Sequence, residues 1–467
     1  MDAETLFLAF EKKMQAAGVR ASAIATFRHN FFLLLQGQTG FIPENSLQAI
    51  GPLPHWEKLD ESQSAKEFLS QAIILKLNGG LGTSMGLAQA KSLLPIKEKE
   101  TFLDFIVQQF LALKKVYNVS PALQFLNSFS TSADTLAFLK KYPELGDATK
   151  LELMQNKVPK IDATTFEPAQ SLSHSDLEWC PPGHGDLYAA LWDSGRLNEW
   201  IEKEFRYLFI SNADNIGATL DLKLLNYFAQ SRLPFLMEVT PRTEIDRKGG
   251  HLCRDQKTGG LRLRELAQCP QTDLAFFQDI ECHAFFNTNN LWVNLLALRD
   301  QLEQQGGFLP LPFIQNRKTL DPKDKTSPVV IQLETAVGAA MECFPQASAI
   351  VVPRSRFAPV KTTSDLLILR SDLYEVDSFY QLKLNTACKG RLPVITLDKD
   401  YYQMIDHFDA YFSSGVPSLR QCQSLTLHGP IRFEPGVCFE GNVTVANPTT
   451  QPKRLKSGHY SNQQITL

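Results

Sequence analysis

Residues 77–86, LNGGLGTSMG, gather four glycines (Gly79, Gly80, Gly82 and Gly86) just ahead of Lys91. Glycine lets the backbone take positive φ and approach a ligand closely, and successive unpaired N–H groups form an anion-binding concavity. With a lysine beyond it, the stretch suits a polyphosphate. The spacing departs from two common phosphate loops: GxGxxG requires glycine at Met85, and the Walker pattern requires Gly-Lys where the chain has Ala90-Lys91. Both a dinucleotide dehydrogenase and a P-loop ATPase lose ground on that count.

Other polar clusters are candidates for the remaining chemistry. Residues 211–215, SNADN, offer Asp214 as a Mg²⁺ ligand, because magnesium takes one or two carboxylates and completes its shell with phosphate oxygens and water. An aspartate capping the next helix is the plainer alternative. In PPGHGD, residues 181–186, the prolines and glycines disfavour helix and strand, so His184 falls on a constrained loop with general base and hydrogen-bond donor both open. PVKTTSD, residues 359–365, supplies Lys361 as a phosphate-binding point charge, while Arg354 and Arg356 nearby read as ordinary surface ion-pair residues. Asn287, Asn289 and Asn290 both donate and accept, as a polyhydroxylated ligand requires, or else they form turns. Glu265 either accepts from sugar hydroxyls or solvates a strand edge.

Positioning these groups takes alternating strands and helices. Apolar runs at 72–77, 123–126, 151–153, 207–210, 235–239 and 349–352 read as strands, several of them lacking polar alternation, as in a parallel sheet buried on both faces. Thr101 and Asp104 form a capping-box pattern opening a helix through about Lys115. The alternation predicts a doubly wound α/β sheet with ligands beyond the C-terminal strand ends. Ahead of it, residues 4–17 and 22–35 carry apolar positions at helical spacing with Gly18 between them, and 36–59 read as a Gly- and Pro-rich covering linker. Short β-type runs punctuated by Gly429, Gly436 and Gly441 suggest a small β-solenoid from near Pro417, with 447–464 polar and poorly ordered.

Composition narrows the class. The 467 residues exceed one average domain, and 47 Lys plus Arg against 50 Asp plus Glu leave no basic field for nucleic acid or anionic lipid. The eight cysteines lack a C-x-x-C pair and read as reduced thiols, Cys180 being a buried inert one. The N-terminus is an amphipathic helix in place of a signal peptide, and no apolar run nears membrane-spanning length, so a cytoplasmic protein is expected.

Taken in order, LNGGLGTSMG, PPGHGD, SNADNIGATLD, MEVTPRTEIDRKGG, ELAQCP, FNTNNLW, LETAVGAA and VPRSRFAPVKTTSDLL resemble the UTP:glucose-1-phosphate uridylyltransferase family from about residue 40 to about 445. The resemblance implies an N-terminal helical region with its linker (1–60), a central Rossmann-like domain of the nucleotide-diphospho-sugar transferase type (61–380) and a C-terminal left-handed β-helix (381–467). It implies UTP and glucose 1-phosphate as substrates and Mg²⁺ as cofactor. Leu77, Asn78, Gly79 and Gly80 then match the backbone that contacts the uridine nucleotide, and Gln155 and Gly183 the positions that read uracil. His184, Asn212, Gly250, Glu265, Asn287 and Asn289 match sugar and sugar-phosphate contacts, which gives His184 no base role. Asp214 matches the metal aspartate, and Lys91 and Lys361 the two phosphate-gripping lysines.

Two departures stand out. Gln89-Ala90 replaces the Gly-Pro that most relatives carry before the first lysine, and Gln451-Pro452-Lys453-Arg454 stands in place of further β-helix turns, which leaves oligomeric state open. A different sugar 1-phosphate, galactose or N-acetylglucosamine, and a non-catalytic nucleotide-sugar binder are the rival readings.

Overall fold

In the computed structural model, which describes residues 2–60, 65–171, 174–388 and 390–467, the organising element is a strand buried at all of its positions, Ala72–Asn78. It is one of ten strands in a mixed sheet: β1 (Leu47–Gln48), β2 (Ala72–Asn78), β3 (Ala122–Asn127), β4 (Glu152–Met154), β5 (Tyr207–Asn212), β6 (Phe235–Pro241), β7 (His251–Asp255), β8 (Leu261–Arg264), β9 (Phe285–Asn294) and β10 (Ser348–Val351). β5, β2, β3 and β4 lie side by side and parallel, and β6 pairs with β10 in parallel. The six strands expected from sequence all form. Residues 61–64, where the central unit is expected to begin, lie outside the described residues.

β9 makes the sheet mixed. It runs antiparallel to β6 along one edge, while its other edge takes β5 beside Leu291–Asn294 and β7 at Phe286. A gap is therefore left between the C-terminal end of β5 and the start of β7. Apolar clusters cover both faces of the sheet, one against Leu187, Leu191 and Trp200, the other against the helix Phe102–Tyr117 and the helix Leu222–Ser231. The first of those two helices opens with the expected Thr101–Asp104 capping box.

The N-terminal helices Ala3–Ala16 and Ala21–Leu35 pack Phe7, Phe10, Phe27 and Phe31 against a separate small sheet, with Gly18 at φ +70° between them. The linker after them reaches the main sheet as β1. At the other end, Val394–Leu397, Ser418–His428, Val437–Ala446 and Gly458–Ser461 stack in parallel, with Gln464–Thr466 also on Val437–Ala446. The expectation of poor order over 447–464 is overturned: Lys453–Leu455 and Gly458–Ser461 are paired strands there. Their polar character reflects short strands with one face outward, Leu455 being buried while Arg454 is exposed. The core beneath this stack joins Phe433 and Val443 to Met85, Ile216 and Val360, residues bordering the glycine loop, Asp214 and Lys361. Among the described residues, no helix is long and apolar enough to cross a membrane.

Candidate active site

The parallel pairing sets Asn212 beside Leu77, so the glycine loop and the SNADN turn leave the sheet from adjacent strand ends. The loop's carbonyls are tied back: Thr131 Oγ1 donates to Asn78 O (2.7 Å), Ser128 Oγ to Gly79 O (2.9 Å) and the Lys91 N–H to Gly80 O (3.1 Å). The N–H groups of Gly79, Gly80, Leu81 and Gly82 meet no acceptor among the described residues. A loop with most of its carbonyls engaged and four successive N–H groups unengaged suits an anion. Gly82 (φ +69°) and Gly86 (φ +76°) provide the left-handed turns that shape it. Asn78 contributes backbone only, since its amide is buried and donates to Asn127 Oδ1 and Thr135 Oγ1.

The approach to Lys91 is held differently from the proline expected at that point in relatives. The Ala90 N–H donates to Asp134 Oδ2 at 3.1 Å, a bond that proline has no hydrogen to make. Asp134→Ala is expected to raise the KM for the nucleotide by about 3- to 10-fold, the scale of one hydrogen bond to a charged group, and to leave Tm nearly unchanged. Adding Ala90→Pro should restore it. Unaltered steady-state constants in Asp134→Ala would remove this tether from the account.

Gln155, Gly79 and Gly183 converge. Gln155 Nε2 donates to Gly183 O (2.7 Å), and its Oε1 lies 2.9 Å from the place a Cβ on Gly79 would take. At Gly183, with φ +82°, a Cβ would fall 2.4 Å from Thr335 O, so only glycine fits. The next residue, His184, opens onto solvent and accepts the Val337 N–H at Nδ1 (2.8 Å). That bond leaves the proton on Nε2, and the surrounding protein lowers the ring's pKa by desolvation. In this tautomer His184 offers an N–H donor at Nε2.

Across the cleft, Gly250, Glu265, Asn287, Asn289 and Asn212 come together. The Asn287 N–H donates to Gly250 O (2.9 Å), and a Cβ on Gly250 would lie 2.5 Å from the Glu265 carboxylate. Burial raises the Glu265 pKa, opposed by the Lys361 ammonium and a hydrogen bond with Asn287. Asn289 Nδ2 donates to Asn212 Oδ1 (3.0 Å), bridging β9 and β5 across the gap. The register of β9 against β6 shifts between Glu238 and Val239, and Asn289 takes φ +59°. A bulge of this kind re-aims side chains, here amides, toward the opening.

Between the two groups, Lys91 Nζ meets Asp214 Oδ2 at 2.6 Å. The Val360 N–H reaches Asp214 O (3.3 Å), which sets Lys361 next in line at the cleft mouth, exposed and without a side-chain partner among the described residues. Its helix, Thr363–Arg370, is capped by Thr362 and Asp365.

Behind the site lies a buried network that sequence reading missed. Arg356, expected at the surface, is 6% exposed and donates from Nε and Nη2 to the two carboxylate oxygens of fully buried Glu238 (2.7 and 2.8 Å). Trp292 Nε1 and Asn290 Nδ2 also donate to Glu238, and the Asn215 side chain bonds Arg356 O and the Ala358 N–H. The signal was available in Glu238 itself, a lone acid in the buried run FLMEVTP. Arg354 does form an ion pair, but not the ordinary surface one expected: it donates from Nη1 and Nη2 to the two carboxylate oxygens of buried Asp246, both at 2.8 Å. Cys180 is also as expected: buried, its thiol pushed up to about 12, and none of the eight cysteines is paired.

Lys76 belongs to the same interior. Its Nζ donates to Ser211 Oγ (2.8 Å) and Ala218 O (2.7 Å), and burial, with the Arg356 charge, lowers its pKa to about 7. Because the folded value lies below the unfolded one, the unfolded chain holds an extra proton between about pH 7 and 10.5, and stability at this position rises with pH through that window. Relative to Lys76→Met, the native chain should gain about 1.4 kcal/mol per pH unit there. Denaturant titrations at pH 7.5, 8.5 and 9.5 test this, and a constant difference would contradict it.

A mixed α/β sheet whose adjacent strand ends hold a glycine loop with four free N–H groups, an Asp–Lys pair and a cluster of amides is consistent with an enzyme of the nucleotide-sugar transferase class. The family model described as UTP--glucose-1-phosphate uridylyltransferase matches residues 27–440, and the chain belongs to that family. Proteins of that name from Encephalitozoon cuniculi and Hordeum vulgare are 41% and 39% identical to it, each over 83% of this chain and over 75% and 80% of their own lengths. Among solved structures, a mutant UDP-glucose pyrophosphorylase from Leishmania major in complex with UDP-glucose is 43% identical, covers 100% of both chains and superposes with a TM-score of 0.96. The UDP-glucose phosphorylase of Trypanosoma brucei is 46% identical, with 99% of this chain and 100% of that one covered and a TM-score of 0.92.

Proposed function

We propose that this chain transfers the uridylyl group of UTP to α-D-glucose 1-phosphate, giving UDP-glucose and pyrophosphate. The observation that carries the reading is the meeting, in one cleft, of a glycine loop with four free N–H groups, the Lys91–Asp214 pair and the β9 amides, in a chain similar end to end to a protein bound to UDP-glucose. Leu77, Asn78, Gly79 and Gly80 contact the uridine nucleotide through their backbone, Lys91 grips its phosphates, and Gln155 with Gly183 reads the base. His184, Asn212, Gly250, Glu265, Asn287 and Asn289 hold the sugar phosphate, His184 as a donor.

A phosphate oxygen of glucose 1-phosphate attacks the α-phosphorus of UTP in line; the new P–O bond forms as the bond to the β-phosphate bridge breaks, and pyrophosphate leaves with the electron pair. A phosphate monoester has its second pKa near ~6, so the nucleophile is already an anion at neutral pH and no protein base is needed. The chain's contribution is positioning and charge neutralisation by Lys91 and Lys361. The residues fit Mg²⁺: Asp214 turns a carboxylate toward the cleft, and its Oδ1 accepts no hydrogen bond among the described residues. Held there, Mg²⁺ would supply further neutralisation of phosphate charge.

The same proposal treats 1–60, 61–380 and 381–467 as three units, with a Rossmann-like centre and a left-handed β-helix at the end, the parallel C-terminal pairing supporting the latter. It places the chain in the cytoplasm, with its eight unpaired cysteines in support, and gives it neither nucleic acid nor membrane as partner. The test is pyrophosphate release from UTP with glucose, galactose or N-acetylglucosamine 1-phosphate, with and without EDTA. Metal-dependent release strongest with glucose 1-phosphate is expected; release with none of the three would refute the reading.

A further inference from the structure

Lys91 and Asp214 reach the cleft from separate strand ends, 123 residues apart in sequence, and their charged atoms meet at 2.6 Å. Both are only partly exposed, 16% and 20% at the side chain, so water does not dilute the contact as it would on an open surface. Each has been read as a group for something else, Lys91 for phosphate and Asp214 for a divalent cation. In the free chain they satisfy one another. A carboxylate whose oxygen already carries an ammonium at hydrogen-bond distance is a weak ligand for a second cation, since the incoming ion loses part of the carboxylate's charge and meets repulsion from Nζ.

The lysine has somewhere else to go. Its stem packs on the glycine loop, where a Cβ on Gly82 would lie 3.1 Å from Lys91 Cγ, and its N–H is fixed on Gly80 O. A swing of its outer torsions carries Nζ from Asp214 toward the free N–H groups of the loop, where phosphate oxygens would sit. We infer that Lys91 acts as an internal counter-ion that holds Asp214 closed to divalent metal until nucleotide phosphate draws the lysine away. Metal and nucleotide binding are then positively coupled, and by linkage each raises the other's affinity by the same factor. This rests on the proposed role of Asp214 as the metal ligand.

The test uses the full chain, Mn²⁺ alone and no nucleotide, with free Mn²⁺ followed by electron paramagnetic resonance. Lys91→Met, which keeps the stem and removes the charge, should bind Mn²⁺ more tightly than the unaltered chain, by about 10-fold, within the range of ordinary coupling. Lys91→Met combined with Asp214→Asn should lose that gain. Lys91→Gln, with Tm measured alongside, repeats the comparison with a polar isostere. Equal or weaker Mn²⁺ binding by both single variants with unchanged Tm would overturn the counter-ion role. Tightening that survives Asp214→Asn would overturn instead the placement of the metal on Asp214.

Discussion

Lys361→Ala is expected to lower kcat by ~10²-fold or more, the scale seen when one electrostatic contact to a developing charge is lost. The effect should fall on turnover with little change in Tm, because the lysine is exposed and its ammonium makes no hydrogen bond or ion-pair contact among the described residues, acting on Glu265 only through its charge. Its helix keeps its cap, since Thr362 and Asp365 make that contact without the Lys361 side chain. Lys361→Arg should recover only part of the rate, because a planar guanidinium does not place its charge where a compact ammonium does. Steady-state kinetics with glucose 1-phosphate decide the matter, and normal turnover in Lys361→Ala would take the residue out of the mechanism.

The second large effect is on folding. Arg356→Met removes the cation from Glu238, which is fully buried, and leaves its carboxylate with Trp292 and Asn290 as its remaining donors among the described residues. Breaking a buried pair from one side costs about 3–5 kcal/mol, because an unpaired charge stays behind. Arg356→Met with Glu238→Gln should be less damaging than Arg356→Met alone, since the stranded charge is gone. Urea denaturation of the three variants measures this. A loss below about 1 kcal/mol in the single variant would mean that Glu238 is relieved some other way, for instance by taking up a proton.

How much could be read from the residues follows from where their partners sit. β2 and β5 were legible because their apolar runs are local, and both continue a residue or two further than the hydrophobicity, into Asn78 and into Ser211 and Asn212, because ladder pairing does not stop where apolar character stops. β9 was hard to recognise as a ten-residue strand, since four polar residues interrupt its aromatics and the bulge at Asn289 depends on its pairing with β6. Glu238 signals that a buried cation must exist, but its identity was illegible for the same reason: Arg356 is 118 residues away, and nothing local in RSRF distinguishes a core arginine from a surface one. Residue types and their setting were not equally legible. The glycines, Asp214 and Lys361 announce themselves by type, whereas the tether from Asp134 to Ala90 appears only once the helix Ser132–Leu139 is set against the loop.

The helical connection between the first two strands of the C-terminal stack, with helices Lys399–Tyr402 and Ile405–Tyr411, touches the glycine loop directly. Gln403 Nε2 donates to Ser84 O (3.1 Å), and a Cβ on Gly86 would meet Met404 Sδ at 3.0 Å. Together with the core shared by Met85 and Val443, this makes the stack a wall of the phosphate loop and ties the two in inheritance. A chimaera joined at residue 380, with its C-terminal part taken from a relative, can keep every strand and still lose nucleotide affinity if positions 403 and 404 do not suit the recipient's loop. Recombination within this family is therefore constrained at a place where the chain looks divisible, and substitutions at 84–86 and at 403–404 should change together over evolutionary time.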